Sequence, residues 1–427
     1  MPILSKPPVS VSPAEHLRIS FIAAWMLCLI FYFVQYGLRS APGIMLPELG
    51  HKHGLNAVEL GSMIGLYYYT YALFAIVAGA ALDRLGAKYV VPVGILALAA
   101  GAALFGIGDV TTASVGRLLQ GAGSAVAFTG AVYLATRGFP KEWLATAVGV
   151  TQCLGMLGGS VGQFAVAPLI HTVISWESFW LISGGVLVCI GLGLAVITPS
   201  SGQKPAASGP WWEMLRPYGT VLSNPQSYLC GITAGLLFLP TTIFDMIWGV
   251  SFLRDGQHVA YADAVLRAST VPMGWVIGCP LLGYIADYVG RRKPVVLGGV
   301  ALMLATGSAI LYLSDGIFPH YVLGLLFGIG SGAAMIPYSI IKEVNPDEVK
   351  GSATGAINFL VFTMTALLNP MFGRYLKALE PNGQLGLQDF RSAGSLLIGG
   401  IVLAGILAFF LRETGHAVRT SPTAAKP

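Results

Sequence analysis

The chain has 427 residues, 55% of them hydrophobic and only 10% charged, with a formal net charge of +5 and a mean hydropathy of +0.72. Soluble proteins carry roughly 25% charged residues, so this composition excludes a surface that mostly faces water. The positive excess is small and dispersed, without the basic stripe that nucleic-acid binding requires. The five cysteines, Cys28, Cys153, Cys189, Cys230 and Cys279, sit in apolar segments without a CxxC pair, which argues for packing roles over disulfides or zinc.

Residues 1–17 are polar and rich in Pro and Ser, with no A-x-A cleavage site after them, and read as a cytoplasmic tail. A spanning helix needs roughly 20 mostly apolar residues. Six such windows, near 20–46, 60–82, 89–108, 112–136, 144–169 and 178–198, make a first bundle over 18–198. A Pro/Gly/Ser-rich stretch at 199–225, with Trp211 and Trp212 suited to the interface, reads as a cytoplasmic linker. Six more windows, near 227–253, 264–286, 294–314, 319–341, 352–376 and 394–411, make a second bundle over 226–412, and 413–427 is a second cytoplasmic tail. Only helices satisfy the backbone in lipid at these lengths, and the alternating polarity of a β-barrel is absent. The expected class is an all-α membrane protein with 12 transmembrane helices in two six-helix bundles.

Placing both termini in the cytoplasm puts sixteen of the 24 Lys and Arg residues on that side and six on the other, with Arg39 and Arg117 inside spans. The positive-inside bias therefore predicts an N-in, C-in orientation. The halves also repeat. Gly79-Ala-Ala-Leu-Asp83-Arg84-Leu-Gly86-Ala-Lys88 follows span 2, and Gly283-Tyr-Ile-Ala-Asp287-Tyr-Val-Gly290-Arg291-Arg292-Lys293 follows span 8, at an offset of 204. Gly121-Ala-Gly123 recurs as Gly328-Ile-Gly330 at an offset of 207, and Pro140-Lys-Glu and Pro346-Asp-Glu precede spans 5 and 11. Internal repeats of this kind are expected of transporters that rock about a central site.

These motifs resemble the Major Facilitator Superfamily (MFS), whose G-x-x-x-D-[RK]-x-G-x-[RK] loop is matched by Gly79, Asp83, Arg84, Gly86 and Lys88. The second copy keeps Gly283, Asp287, Gly290 and Arg292 but has Tyr288 at the first basic position, and Arg117-Leu-Leu-Gln120-Gly121-Ala-Gly123 is similar to the span-4 motif. The resemblance covers essentially residues 18–412 and implies two bundles around a central cavity, working by alternating access. Span 5 lacks the Gly-Pro pair usual in antiporters of the family, which favours uptake over drug efflux. The stretch from Phe31 to Leu49, with Arg39 and Glu48, is similar to the first span of magnetosome-associated MFS proteins of the MamH type. That resemblance implies the inner or magnetosome membrane of a magnetotactic bacterium, other magnetosome membrane proteins as partners, and a part in iron supply for biomineralisation of magnetite.

Arg39 is the most informative residue. A charge inside a span faces a cavity or a partner, and a planar guanidinium suits carboxylate or phosphate oxygens. An internal salt bridge or snorkelling to the interface is the plainer alternative. The repeat offset maps Arg39 to 243–246 in the second half, where Asp245 stands. Asp245 is thus expected to face Arg39 across the cavity, as the carrier of a coupling proton or as a fixed ion-pair partner. Gln152 and Gln163 in span 5, and Asn358 and Asn369 in span 11, are candidates for substrate hydrogen bonds or for pairing between helices. Tyr67, Tyr68, Tyr71 and Phe74 fall at helical spacing on one aromatic face, either core or cavity wall. Arg117 is expected to pack. The MFS pattern implies that Asp83 and Asp287 meet helix N-terminal amides across the bundle interface, while Arg84 and Arg291 bind nearby acids, Glu343 being the candidate for Arg291.

His51, His53, His171, His258 and His320 fall on the non-cytoplasmic side without ligand spacing, so neither metal nor cofactor is expected. A naked iron ion would want imidazoles or several carboxylates at mid-span. The residues suit an anion, a hydroxycarboxylate or an iron chelate better. A proton-coupled organic-anion symporter of the plasma membrane and a non-transporting scaffold are the alternatives to iron supply. No catalytic motif stands in a suitable context, so an enzyme is not expected.

Overall fold

The computed structural model describes residues 13–200, 213, 215–313, 319–379 and 385–415; side chains 13–14, 57, 83, 141–146 and 347 are also outside the description. Twelve helices within it are long and apolar enough to cross a bilayer. In the first half they are α1 (Glu15–Ile44), α2 (Val58–Leu82), α3 (Ala87–Ile107), α4 (Val110–Gly138), α5 (Ala147–Thr172) and α6 (Trp176–Ile197). In the second half they are α7 (Pro225–Gly256), α8 (Tyr261–Val289), α9 (Lys293–Tyr312), α10 (His320–Glu343), α11 (Lys350–Leu379) and α12 (Leu387–Phe410). All twelve windows expected from hydropathy are helical, and α12 begins earlier than its window because Asp389 caps the Gly386 amide. The pair Trp211 and Trp212 lies outside the described residues.

Within a half, α1 packs on α5, α3 on α4 and α6, α8 on α10, and α9 on α10 and α12. Lipid supplies no hydrophobic drive between helices, so small residues that admit close approach set these contacts. A Cβ at Gly158 would lie 2.1 Å from the Phe33 carbonyl oxygen, and one at Gly162 2.5 Å from Gly37 Cα. Between the halves, α2 packs along α11 and α5 along α8, so the bundles meet twice, in equivalent pairs.

The contacts close both ends of the interface. At the end away from the 199–225 connection (the far end), Gly43 of α1 presses on α7, where a Cβ would stand 2.2 Å from the Met246 carbonyl oxygen. Nearby, Tyr261 donates to the Ile44 carbonyl at 2.8 Å and Ser160 to the Ser269 carbonyl at 2.8 Å. His171, paired with Glu48 at 3.3 Å, packs edge-on against Tyr261. At the linker end, Tyr218 donates to the Ile76 carbonyl at 3.3 Å and wedges between Gly79 and Gly355, so the connection between the halves touches both α2 and α11.

The second motif loop differs from the expectation. Gly86 and Gly290 cap α2 and α8 at φ of 77° and 69°, a region that glycine enters without strain. Lys88 reaches Ser200 at 3.5 Å, and Gly283 stands in open space. The Asp83 side chain lies outside the described residues, and Arg84 has an interaction of its own. Asp287 does not meet helix amides across the interface. It is exposed and accepts from Arg292 at 2.6 Å, inside the second half. Arg292, not Arg291, also takes Glu343 at 3.0 Å, while Glu413 accepts from the Arg292 and Lys293 amides. Two consecutive arginines point in different directions, and Arg292 is the one turned back toward α10 while Arg291 is exposed.

Two outcomes follow from these contacts. Arg292→Ala breaks a hub that ties α8, α9 and α10 together and is expected to lower the apparent melting temperature by several degrees, whereas Arg291→Ala leaves it unchanged, both read by a thermal-shift assay in detergent. Gly43→Val cannot keep its approach to Met246, so the far end opens. Maleimide labelling of a cysteine placed at Ser269 is expected to accelerate at least severalfold.

Candidate functional site

The Arg39 side chain is 2% exposed and sits near the far-end terminus of α1, ringed by six aromatic side chains. Its guanidinium carbon lies 4.8 Å from the Phe362 centroid, 5.0 Å from Tyr36 and Tyr68, 5.6 Å from Tyr67, 5.7 Å from Tyr71 and 6.0 Å from Phe238. Four of these rings come from α1 and α2, and two from α7 and α11, so both bundles build the cage. Nε donates to the Tyr68 hydroxyl at 3.4 Å, and that hydroxyl donates to the Thr242 carbonyl in α7 at 3.4 Å. Nη1 and Nη2 are buried without an acceptor. Among the described residues the alternative of an internal salt bridge is therefore not formed, and burial argues against snorkelling.

Tyr36, Tyr71, Phe238 and Phe362 also wall a small cavity of about 20 Å³ on the linker side of Arg39, shared with Tyr32, Gln152, Tyr338 and Asn358. Its polar lining is arranged in two equivalent halves. Tyr32 donates to Gln152 Oε1 at 3.3 Å, and Tyr338 donates to Asn358 Oδ1 at 2.7 Å. Each tyrosine occupies the amide oxygen and leaves the NH₂ end of the same side chain as a donor. The cavity thus offers two amide donors between aromatic faces, and the unpaired N–H groups of Arg39 lie buried behind four of those rings.

Of the residues singled out from sequence, Tyr71, Gln152 and Asn358 line this cavity, while Arg39 lies behind the rings of Tyr36, Tyr71, Phe238 and Phe362. Asn369 does not; it donates to the Gly61 carbonyl at 3.2 Å and joins α11 to α2. Arg117 packs, donating from Nε and Nη2 to the Ile64 carbonyl at 3.2 Å and from Nη1 to Gln120 at 2.5 Å. Its guanidinium lies 5.0 Å from the Tyr67 ring, behind the cage. Tyr67, Tyr68 and Tyr71 are buried, but Phe74 is 41% exposed and belongs to the outer face.

Asp245 does not face Arg39. It lies beside Gln163 of α5, with Oδ2 buried and unpartnered, on a different cavity inside the second bundle. The reason is the backbone of α7. Phe238, on the Arg39 face, is seven residues before Asp245, which in an α-helix is two turns and the same face. Pro240–Trp248 is instead π-helical, and i→i+5 bonding winds more slowly, so Asp245 is carried round the helix. A π-helical segment leaves no hydropathy signature; Pro240 is its one sequence cue. Tyr32, Tyr36, Phe238, Tyr338 and Phe362 were likewise missed. The first two share Arg39's helical face at spacings of seven and three, a signal that was available.

The family profile described as Major Facilitator Superfamily matches residues 28–370. A "Hexuronate transporter" of Bacillus subtilis (strain 168) is 22% identical over 408 residues, covering 88% of this chain and 90% of that protein. A "Membrane sensor protein UhpC" of Salmonella typhimurium is 24% identical over 378 residues, covering 81% and 82%. Among solved structures, a bacterial homolog to the human lysosomal transporter Spinster, inward-facing and unoccupied, superposes with a TM-score of 0.73 at 15% identity, covering 94% of this chain and 99% of that one. With its twelve spans, its repeated motif loops and a profile match over most of its length, the chain belongs to the Major Facilitator Superfamily.

Proposed function

We propose that this protein is a secondary active transporter that moves a small organic anion, a carboxylate bearing hydroxyl groups, by alternating access. The observation that carries the proposal is the Arg39 fork, buried and without an acceptor. Hydrogen bonds to charged groups contribute about 1.5–3 kcal/mol each, so a carboxylate that takes both Nη groups is held strongly. The Gln152 and Asn358 amides suit hydroxyl oxygens, and the ring faces suit the C–H faces of a sugar-like body. With both ends closed the cavity holds only about 20 Å³, room for about one water, so alternating access widens it to take the anion. The relative named as a hexuronate transporter supports this substrate class.

Iron enters this reading only as the metal of an anionic chelate. Among the described residues no three His, Cys, Asp or Glu side chains converge, and the charge behind the cavity wall, Arg39, is positive. A magnetosome role is compatible with such a chelate and rests on the similarity of the Phe31–Leu49 stretch alone. Proton coupling is assigned to Asp245, a carboxyl inside a span whose neighbour, Gln163, belongs to the other bundle. A change in its protonation alters a contact between the two moving bodies. The basic bias of the loops supports cytoplasmic termini in a bacterial inner membrane.

In nanodiscs, glucuronate, galacturonate, citrate and ferric citrate are offered separately to wild type and variants. Arg39→Ala is expected to weaken binding of the preferred anion by at least about 100-fold, from the loss of two charge-assisted bonds. Arg39→Lys, which keeps the charge but not the fork, is expected to weaken it about tenfold. Anion binding indifferent to Arg39 overturns the reading. In proteoliposomes, Asp245→Asn is expected to abolish accumulation driven by a proton gradient while anion exchange persists; a variant that still accumulates removes Asp245 from coupling.

A further inference from the structure

The unpaired N–H groups of Arg39 and the central cavity do not share space, because four rings stand between them. These rings differ in the bundle that carries them. Tyr36 and Tyr71 belong to α1 and α2, the same bundle as Arg39. Phe238 and Phe362 belong to α7 and α11, in the other. Phe238 is seated within its own bundle, edge-on against Trp275 at 4.8 Å, whose indole N–H donates to the Thr241 hydroxyl at 2.9 Å. Phe362 instead reaches into the first bundle. Its ring lies 4.4 Å from that of Tyr71 and 6.3 Å from that of Tyr68, and of the six rings around Arg39 it is nearest the guanidinium, at 4.8 Å.

Chemistry also sets Phe362 apart. Tyr68 is tied by its hydroxyl to Arg39 and to the Thr242 carbonyl, so moving it breaks hydrogen bonds. Phe362 offers only a ring face, and its withdrawal orphans no polar group. That face attracts the guanidinium, but it stands where a carboxylate from the cavity would have to approach. Asn358, which lines the cavity, is one turn before Phe362 on the same face of α11, so a ligand held by the Asn358 amide grips the helix that carries the ring. Toward the far end of α11, Asn369 donates to the Gly61 carbonyl of α2 at 3.2 Å. We propose that Phe362 is a displaceable plug and a specificity-determining residue: its ring holds the Arg39 guanidinium while the site is empty and yields it to a substrate carboxylate. Parting of the bundles at the linker end, about the Asn369 contact, swings the ring out of the first bundle and opens the cavity onto Arg39. The proposal rests on the anion reading of Arg39 and adds the step by which the anion reaches it.

The test treats the full chain in nanodiscs with butanedione, a small reagent that modifies arginines, and locates the adducts by peptide mass spectrometry. Arg39 is expected to label at least severalfold faster in Phe362→Ala than in wild type. Arg117, buried and hydrogen-bonded within one bundle, is expected to stay unlabelled in both, which with thermal melting checks the fold. Phe362→Leu keeps most of the bulk and removes the ring face. It is expected to bind glucuronate about tenfold more tightly than wild type, through the loss of one competing cation–π contact; a ring that only packs would give weaker or unchanged binding. Arg39 labelling no faster in Phe362→Ala overturns the proposal, as does measurable glucuronate binding that Phe362→Leu leaves unchanged or weakens. The two readings fail differently. Anions that protect Arg39 in wild type, at a labelling rate that Phe362→Ala does not change, keep the anion reading and overturn the plug. Faster labelling in Phe362→Ala that glucuronate, galacturonate and citrate all fail to slow keeps the plug as a barrier and overturns the anion reading.

Discussion

The buried guanidinium of Arg39 is the constraint around which the two bundles are arranged. Inserting an arginine in a span costs up to about 2.5–3.5 kcal/mol on translocon scales, the value at the helix centre. A desolvated cation–π contact returns about 2 kcal/mol, and six rings surround this one. Aromatic faces therefore offset the cost without supplying a countercharge. A carboxylate partner would have offset it too, but would have used up the N–H groups. Because Phe238 and Phe362 belong to the second half and the tyrosines to the first, the cage exists only when the bundles are together. The Tyr68 hydroxyl ties the same guanidinium to the backbone of α7, so any movement of the charge is felt by a helix of the opposite bundle.

Arg117 shows what a structural arginine looks like in the same environment. It is as buried as Arg39, yet Nε and both Nη groups have acceptors, and Gln120 is anchored in turn to the Gly101 carbonyl at 3.0 Å. It fixes α4 against α2 and α3 within one bundle and has no donors to spare. Two arginines of one type, both within spans, thus divide by their hydrogen-bond accounts: one satisfied and internal to a bundle, the other unsatisfied and placed between bundles.

Much of this was legible in the chain. Spans follow from hydropathy because lipid forces every backbone group into an internal hydrogen bond, and the repeated loops follow from the copied sequence. Arg39 was legible because a charge inside an apolar window is rare enough to mean something. Side-chain direction was less so. The α-helical period grouped Phe74 with Tyr71, but the bundle needs one face of α2 for lipid, and Phe74 lies on it. Arg291 and Arg292 are neighbours in sequence, and only the turn after Gly290 decides which reaches Glu343. Asn358 and Asn369 are three turns apart on α11, and their roles separate because the helix faces a cavity at one level and α2 at another.

The largest departure, the position of Asp245, also explains how the molecule keeps a carboxyl and a guanidinium apart in one apolar interior. Had α7 continued as an α-helix, Asp245 would have stood on the face that Phe238 presents to Arg39. Burial would then have favoured a direct ion pair, and each charge would have silenced the other. The π-helical stretch Pro240–Trp248 turns the carboxyl to the far side of the helix, so α7 separates it from the guanidinium. π-Helical turns are uncommon and gather at functional positions, and here the backbone distortion does something an α-helix of the same sequence would not: it prevents neutralisation. The same helix contacts Tyr68 through Thr242 and Gln163 through Asp245, so what binds on either face bears on the one element between them.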